Sequence, residues 1–219
     1  MTTPDTAVID VDGTLVDTNY HHALAWSRAL RRFDRTVPLW TLHRAVGMGG
    51  DQLVPAVAGD RFEAEHGDDA RAAWKEEFEP LLPEVRALPG ARELLADLAE
   101  GFGLTVVLAS SGAPEHVQAY LELFDGRSLA RECLTREDVT RTKPDPELVR
   151  VALRRVAGSA GFVVGDSVWD VRAAVAAGCP AYAVRTGGFG ADELREAGAR
   201  DVFSSLEEVR GAIPRVLRG

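Results

Sequence analysis

The chain has 219 residues, enough for one sizeable core or a core with a small insert. Its composition, 46% hydrophobic and 27% charged, is that of a soluble globular protein. A net charge of −9 argues against a nucleic-acid or membrane-surface role, which favours basic patches, and no apolar run approaches the ~20 residues that span a bilayer.

In chain order, residues 6–10 read as a short buried strand running into an Asp12-Gly13 turn. Residues 16–88 interrupt an otherwise regular alternation of strands and helices and are helical in pattern. Apolar side chains recur every three or four positions over 20–30, residues 70–82 are helical and acidic, and Gly47, Gly49 and Gly50 make 46–51 a mobile loop. Pro89-Gly90 marks the return. Beyond it come helix 91–100, strand 104–109, helix 114–124 with proline in its first turn, and a short strand 132–134. Helix 146–156, strand 161–165, helix 168–177 stopped by Gly178, strand 181–184, helix 192–197, strand 202–203 and helix 206–217 follow. The pattern predicts an α/β fold. Its core is a doubly wound, Rossmann-like parallel sheet built from residues 1–15 and 89–219, and residues 16–88 are inserted as a small helical cap domain. Ligands of such folds bind beyond the carboxyl ends of the strands, where Asp10, Ser110 and Asp166 fall.

Residues 1–5 lack a basic-then-apolar leader, and Cys133 and Cys179 lie in segments expected to be buried, as reduced thiols. Both features predict a cytoplasmic protein. Only Lys75 and Lys143 among the 25 basic residues are lysine. Against that arginine bias, Lys143 in Lys143-Pro144-Asp145-Pro146 marks a place that needs a compact point charge. Asp10 and Asp12, two residues apart on a strand, share a side. Carboxylates held that close need a cation or a proton between them. A carboxylate so placed can also attack phosphorus. No His or Cys cluster suits zinc, whereas a hard carboxylate set suits Mg2+. Asp166 can equally cap a helix, and Asp170 can be a first-turn acid facing the helix dipole.

Four segments in order resemble the motifs of the haloacid dehalogenase-like hydrolases: Asp10-Val11-Asp12-Gly13-Thr14, the strand ending at Ser110-Ser111-Gly112, Lys143-Pro144-Asp145-Pro146, and Gly165-Asp166-Ser167-Val168-Trp169-Asp170. The resemblance covers about residues 6–183 and points to the branch of phosphoglycolate phosphatases and beta-phosphoglucomutases with helical caps. It implies that Asp10 is the nucleophile, that Asp12 is the general acid and base, and that Ser110 and Lys143 serve the phosphate. It assigns Asp10, Asp12 (through its carbonyl), Asp166 and Asp170 to Mg2+. Ser111 and Gly112, with Thr18 and His22 on the helical face they share with Trp26, are expected at the substrate. An aspartate at position 12 implies phosphate-ester rather than carbon–halogen chemistry. The expected substrate is a small phosphorylated metabolite such as phosphoglycolate or a sugar phosphate, the expected assembly a monomer or homodimer. A sugar-phosphate mutase and a catalytically idle binding module are the rivals. The loop Met48-Gly49-Gly50-Asp51 lacks the basic residue with which such mutases grip a second phosphate. Arg44 and Lys75 remain candidate contacts, and Trp40 and Trp74 are expected in a core.

Overall fold

Six short strands of three to five residues alternate with helices because each is closed by a polar turn, at Asp10, Ser110, Thr135, Asp166, Arg185 and Ser204, before a new 3.6-residue period begins. The computed structural model describes residues 3–218. Met1, Thr2 and Gly219, the tips of the expected core segments, lie outside the described residues. The strands β1 (Thr6–Ile9), β2 (Thr105–Ala109), β3 (Glu132–Leu134), β4 (Gly161–Gly165), β5 (Ala181–Val184) and β6 (Asp201–Phe203) pair entirely in parallel. Their order is β3-β2-β1-β4-β5-β6.

Successive strand residues feed opposite faces. Ala7, Ile9, Val106, Leu108, Phe162 and Val164 join one apolar cluster, and Val8, Val107, Ala109 and Val163 the other. Before the second strand the chain forms α1 (Asn19–Arg31), α2 (Leu39–Ala45), α3 (Gly50–Ala58) and α4 (Asp60–Phe78). The helices α5 (Ala91–Ala96), α6 (Pro114–Glu122), α7 (Glu147–Arg155), α8 (Val168–Ala177), α9 (Ala191–Glu196) and α10 (Leu206–Val216) complete the chain. Helices α5, α6 and α10 cover the first face; α7, α8 and α9 cover the second. The chain steps outward from β1 to β3 and returns to β4 beside β1, so the switch point for ligand binding lies between β1 and β4.

Helices α1 to α4 build a third cluster around Trp26, Leu30, Leu42, Leu53 and Val54. The two strands of chain that join these helices to the sheet run side by side. The Asp17 amide donates to Arg86 at 2.9 Å, the Leu88 amide donates to Leu15 at 2.9 Å, and Val16 bridges Ala87.

Several details differ from the sequence expectation. Gly50 and Asp51 are not loop but the first turn of α3, since a glycine offers no side-chain obstacle to helix entry there. The acidic helix begins at Asp60 rather than 70, and residues 79–84 tighten into a 3-10 turn where Pro80 and Pro83 remove amide donors. Helix α5 closes with a π turn at Asp97–Gly101. Cys133 and Cys179 are unpaired thiols, half-buried rather than buried, because one sits on an edge strand and the other just past a helix end. Trp40 is 71% exposed, not core: it lies at the start of a seven-residue helix that buries only Leu42 and Ala45. No helix among the described residues is long and apolar enough to cross a membrane.

Candidate active site

Asp10 follows the last residue of β1, and its amide donates to the Val164 carbonyl of β4 at 2.9 Å. Asp166 follows the last residue of β4, so the two carboxylates meet at the switch point. Between them, Thr14 donates its hydroxyl to Asp10 Oδ2 at 2.9 Å and lies 3.4 Å from Asp166 Oδ1. Asn19 donates to Asp166 Oδ2 at 2.8 Å. The turn that makes this possible needs glycine: Gly13 has φ +77°, and a Cβ there would stand 2.2 Å from Asp166 Oδ2.

Lys143 is buried beneath the carboxylates. Its ammonium pairs with Asp10, lies 2.7 Å from Asp170 Oδ1 and donates to the Ala109 carbonyl at 2.9 Å. Burial works against its charge, but Asp10 and Asp170 outweigh burial and hold it firmly protonated. Asp170 sits in the first turn of α8. Ser167, not Asp166, is the N-cap, and Asp170 closes a capping box with it.

The second carboxylate of the Asp10-x-Asp12 pair has different neighbours. Asp12 accepts from Ser110 Oγ at 2.7 Å and from Thr18 Oγ1 at 3.2 Å, and lies 2.8 Å from His22 Nε2. Thr18 and His22 therefore bond to Asp12 itself. Ser110 Oγ also accepts from the Gly112 amide at 2.8 Å, which curls Ser110-Ser111-Gly112 into a small loop. The His22 ring is fixed by stacking on Phe78 at 4.5 Å and on Trp74 at 5.5 Å between centroids.

These surroundings push the two aspartates apart. Burial, then the charge of Asp170, raises Asp10 to about 7 despite Lys143. Burial also works upward on Asp12, but the bonds and charge of His22, with Ser110 and Lys143, outweigh it and hold Asp12 below the usual carboxylate range. Burial and the charges of Asp10 and Asp170 push Asp166 well up.

One carboxylate oxygen each from Asp10, Asp166 and Asp170 lies within 4.8 Å of the others, all buried. Three carboxylates share one lysine, so the cluster lacks positive charge. The Gly187 backbone approaches Asp166 so closely that a Cβ there would stand 2.0 Å from Oδ2. An oxygen-rich, charge-deficient, buried cluster fits a hard divalent cation such as Mg2+. The Asp12 side chain lies outside this cluster, so its backbone carbonyl is what remains for the metal role that the resemblance implies.

The pair Asp10 and Asp12 opens onto a chamber of about 60 Å³, room for a handful of waters. Gly47, Met48, Gly49, Trp26 and Trp74 wall one side; Ser111, Gly112 and Arg136 wall the other. The loop is docked: the Gly49 amide donates to Thr142 Oγ1 at 3.0 Å, and the Asp51 carboxylate accepts from the Thr142 amide at 3.2 Å and from its hydroxyl. Sequence reasoning singled out Asp10, Asp12, Ser110, Lys143, Asp166 and Asp170, and the fold brings them together. It missed Thr14, Asn19, Arg71 and Arg136. Thr14 lies in the quoted turn and Asn19 opens α1, but nothing in their spacing says which carboxylate they reach. The candidate cations Arg44 and Lys75 face elsewhere. Arg44 grips Glu193 at 2.9 Å over the Phe189 ring, and Lys75 pairs with Glu115.

Comparison with known proteins shows what the chain is similar to. Residues 4–178 match the haloacid dehalogenase-like hydrolase family. The chain is 34% identical to a phosphoglycolate phosphatase (plasmid) of Cupriavidus necator, over 98% of this chain and 94% of that one. It is 28% identical to a validoxylamine A 7'-phosphate phosphatase of Streptomyces hygroscopicus subsp. limoneus, over 93% and 95% of the two chains. The crystal structure of a hydrolase from Pseudomonas syringae superposes with a TM-score of 0.89 at 27% identity, covering 96% of this chain and 98% of that one.

Proposed function

The chain belongs to the haloacid dehalogenase-like hydrolase family, and on that premise we propose that it is a magnesium-dependent phosphatase of small phosphomonoesters, working through an aspartyl-phosphate on Asp10. Phosphoglycolate and sugar phosphates are the substrates in view. The observation that carries the reading is the division of labour between Asp10 and Asp12, one facing a lysine and two carboxylates, the other a histidine and two hydroxyls.

In the proposed reaction Asp10 attacks phosphorus, forming an Asp10–phosphate bond as the ester oxygen departs. Asp12 gives that oxygen its proton. A phosphate dianion arriving beside Asp12 raises its proton affinity, so a residue that is ionised in the empty site carries a proton in the loaded one. Asp12 then takes a proton from water, which attacks the phosphoryl group and restores Asp10 with release of inorganic phosphate. Ser110, the Ser111 amide and Lys143 hold the phosphate oxygens through these steps. Asp10, Asp166 and the Asp12 carbonyl, with Asp170 behind them, would hold Mg2+. Bound Mg2+ keeps Asp10 ionised and neutralises charge on the phosphoryl oxygens.

Residues 16–88 serve in this reading as a cap domain over a core of residues 1–15 and 89–219, closing the chamber and excluding water. A loop without lysine or arginine over residues 46–51 disfavours the mutase alternative. The test is phosphate release from a panel of phosphomonoesters, with and without Mg2+, for wild type and Asp10→Asn. Metal-dependent release that Asp10→Asn loses is the expected result. Inert wild-type protein across the panel, or an active Asp10→Asn, overturns the proposal.

A further inference from the structure

Three groups on the chamber wall have hydrogen-bonding capacity that nothing in the protein uses. The buried Ser111 hydroxyl and the Trp74 indole nitrogen have no partner. Arg136 is exposed and forms no ion pair among the described residues, although it lines the chamber. The other arginine in the wall is already neutralised: Arg71 holds Glu63 at 2.9 Å and Asp68 at 2.8 Å. Of the two arginines in this wall, Arg136 is therefore the one whose charge is left for an anion in the chamber.

Arg136 is also held in place from behind. Its amide donates to the Gly112 carbonyl at 3.1 Å, so it rides directly on the loop that carries Ser110 and Ser111. It opens a 3-10 turn, Arg136–Asp138, fixed by a capping box between Thr135 and Asp138. Asp138 is pinned in turn by Arg155. The backbone is thus rigid while the side chain remains free, as a recognition arm requires.

We infer that Arg136 is a specificity-determining residue that reads a second negative charge on the substrate, a carboxylate on the leaving group of the phosphate ester. The inference rests on the phosphatase reading of this site and extends it to a substrate class. The second anion is met from the sheet side of the chamber, by a residue tied to the phosphate loop, and not from the glycine loop over residues 46–51. A guanidinium fork can hold a carboxylate through two N–H donors at once. A leaving group with a hydroxymethyl in that place offers no charge to hold.

The test compares two esters of matched size, 2-phosphoglycolate and 2-hydroxyethyl phosphate, by calorimetric titration in the presence of Mg2+. The protein is Asp10→Asn, chosen because the proposed reaction cannot proceed without the Asp10 carboxylate, alone and combined with Arg136→Gln or Arg136→Lys. With Arg136 present, the carboxylate ester should bind about tenfold tighter than its neutral partner or better. Arg136→Gln should reduce that ratio to within about twofold of unity, and Arg136→Lys should keep part of it. Equal affinities with Arg136 present, or a ratio that survives Arg136→Gln, overturn the inference. Phosphate release by wild-type protein is read separately, so a failure of the phosphatase reading is not confused with a failure of this one.

Discussion

Replacing Asp10 by Asn should destroy activity and yet stabilise the metal-free protein. Asp10 is raised from its ordinary 3.8 to about 7 by burial and by Asp170. The unfolded chain releases this proton from 3.8 upward, whereas the folded chain keeps it until about pH 7. Between those values the native state binds more protons than the unfolded state, so unfolding free energy falls as pH rises, and it is flat above the window. At ~1.4 kcal/mol per pH unit, the penalty for an ionised Asp10 grows from under ~2 kcal/mol at pH 5 to about 4 kcal/mol at pH 8. Asparagine, a neutral isostere, avoids it. At ~2–4 °C per kcal/mol, Asp10→Asn should melt roughly 8–16 °C above wild type in EDTA at pH 8. His43 works in the opposite direction in this range, since burial, and Arg44 beside it, lower it. The difference between variant and wild type cancels that effect. Magnesium at a hundredfold its Kd should return about 2.7 kcal/mol to the wild type and less to the variant. The assay is thermal denaturation from pH 5 to 8.5, with and without metal. A variant that melts below wild type at pH 8 in EDTA, or a difference that shrinks as pH rises, refutes the reasoning.

Asp12→Asn keeps the hydrogen-bonding shape but cannot carry a proton, so steady turnover of a phosphomonoester should fall about 10²–10⁴-fold, and a near-normal rate would remove Asp12 from its assigned role. Gly187→Ala puts a methyl 2.0 Å from Asp166 Oδ2 and must displace that carboxylate. The Mg2+ concentration for half-maximal stabilisation should rise about tenfold or more, and unchanged metal dependence would place the cation elsewhere. Asp51→Ala removes two acceptor contacts to Thr142. Amides of residues 47–52 should then exchange hydrogen roughly 10–30-fold faster, and identical rates would show that the loop is held by other contacts.

The residues most exposed to these tests were also the most legible in the sequence. Asp10, Ser110 and Asp166 each close an apolar strand, and a parallel sheet gathers strand ends at one edge whatever the helices do. Lys143 stood out as one of only two lysines in an arginine-rich chain, set in the Lys143-Pro144-Asp145-Pro146 segment. Gly178 announced its helix end and has the left-handed φ of 81° that such an end needs. All of this is local: a period of two, a turn, a cap.

Other features required the folded chain. The partition of Asp10 and Asp12 into a lysine-facing and a histidine-facing carboxylate depends on which way α1 leaves the turn, which periodicity does not encode. The exposure of Trp40 follows from the shortness of α2 and the small face it buries, not from tryptophan's hydrophobicity. Arg44 pairs with Glu193, 149 positions away, while Arg136 is left unpaired at the chamber. Asp51 reaches Thr142 across 91 positions. The residues at the strand ends can be read from local pattern, because a period of two and a turn place them there whatever lies further along the chain. The walls of the chamber cannot, because they form where the helical segment meets the sheet, and that meeting is set by packing between residues with no relation in sequence.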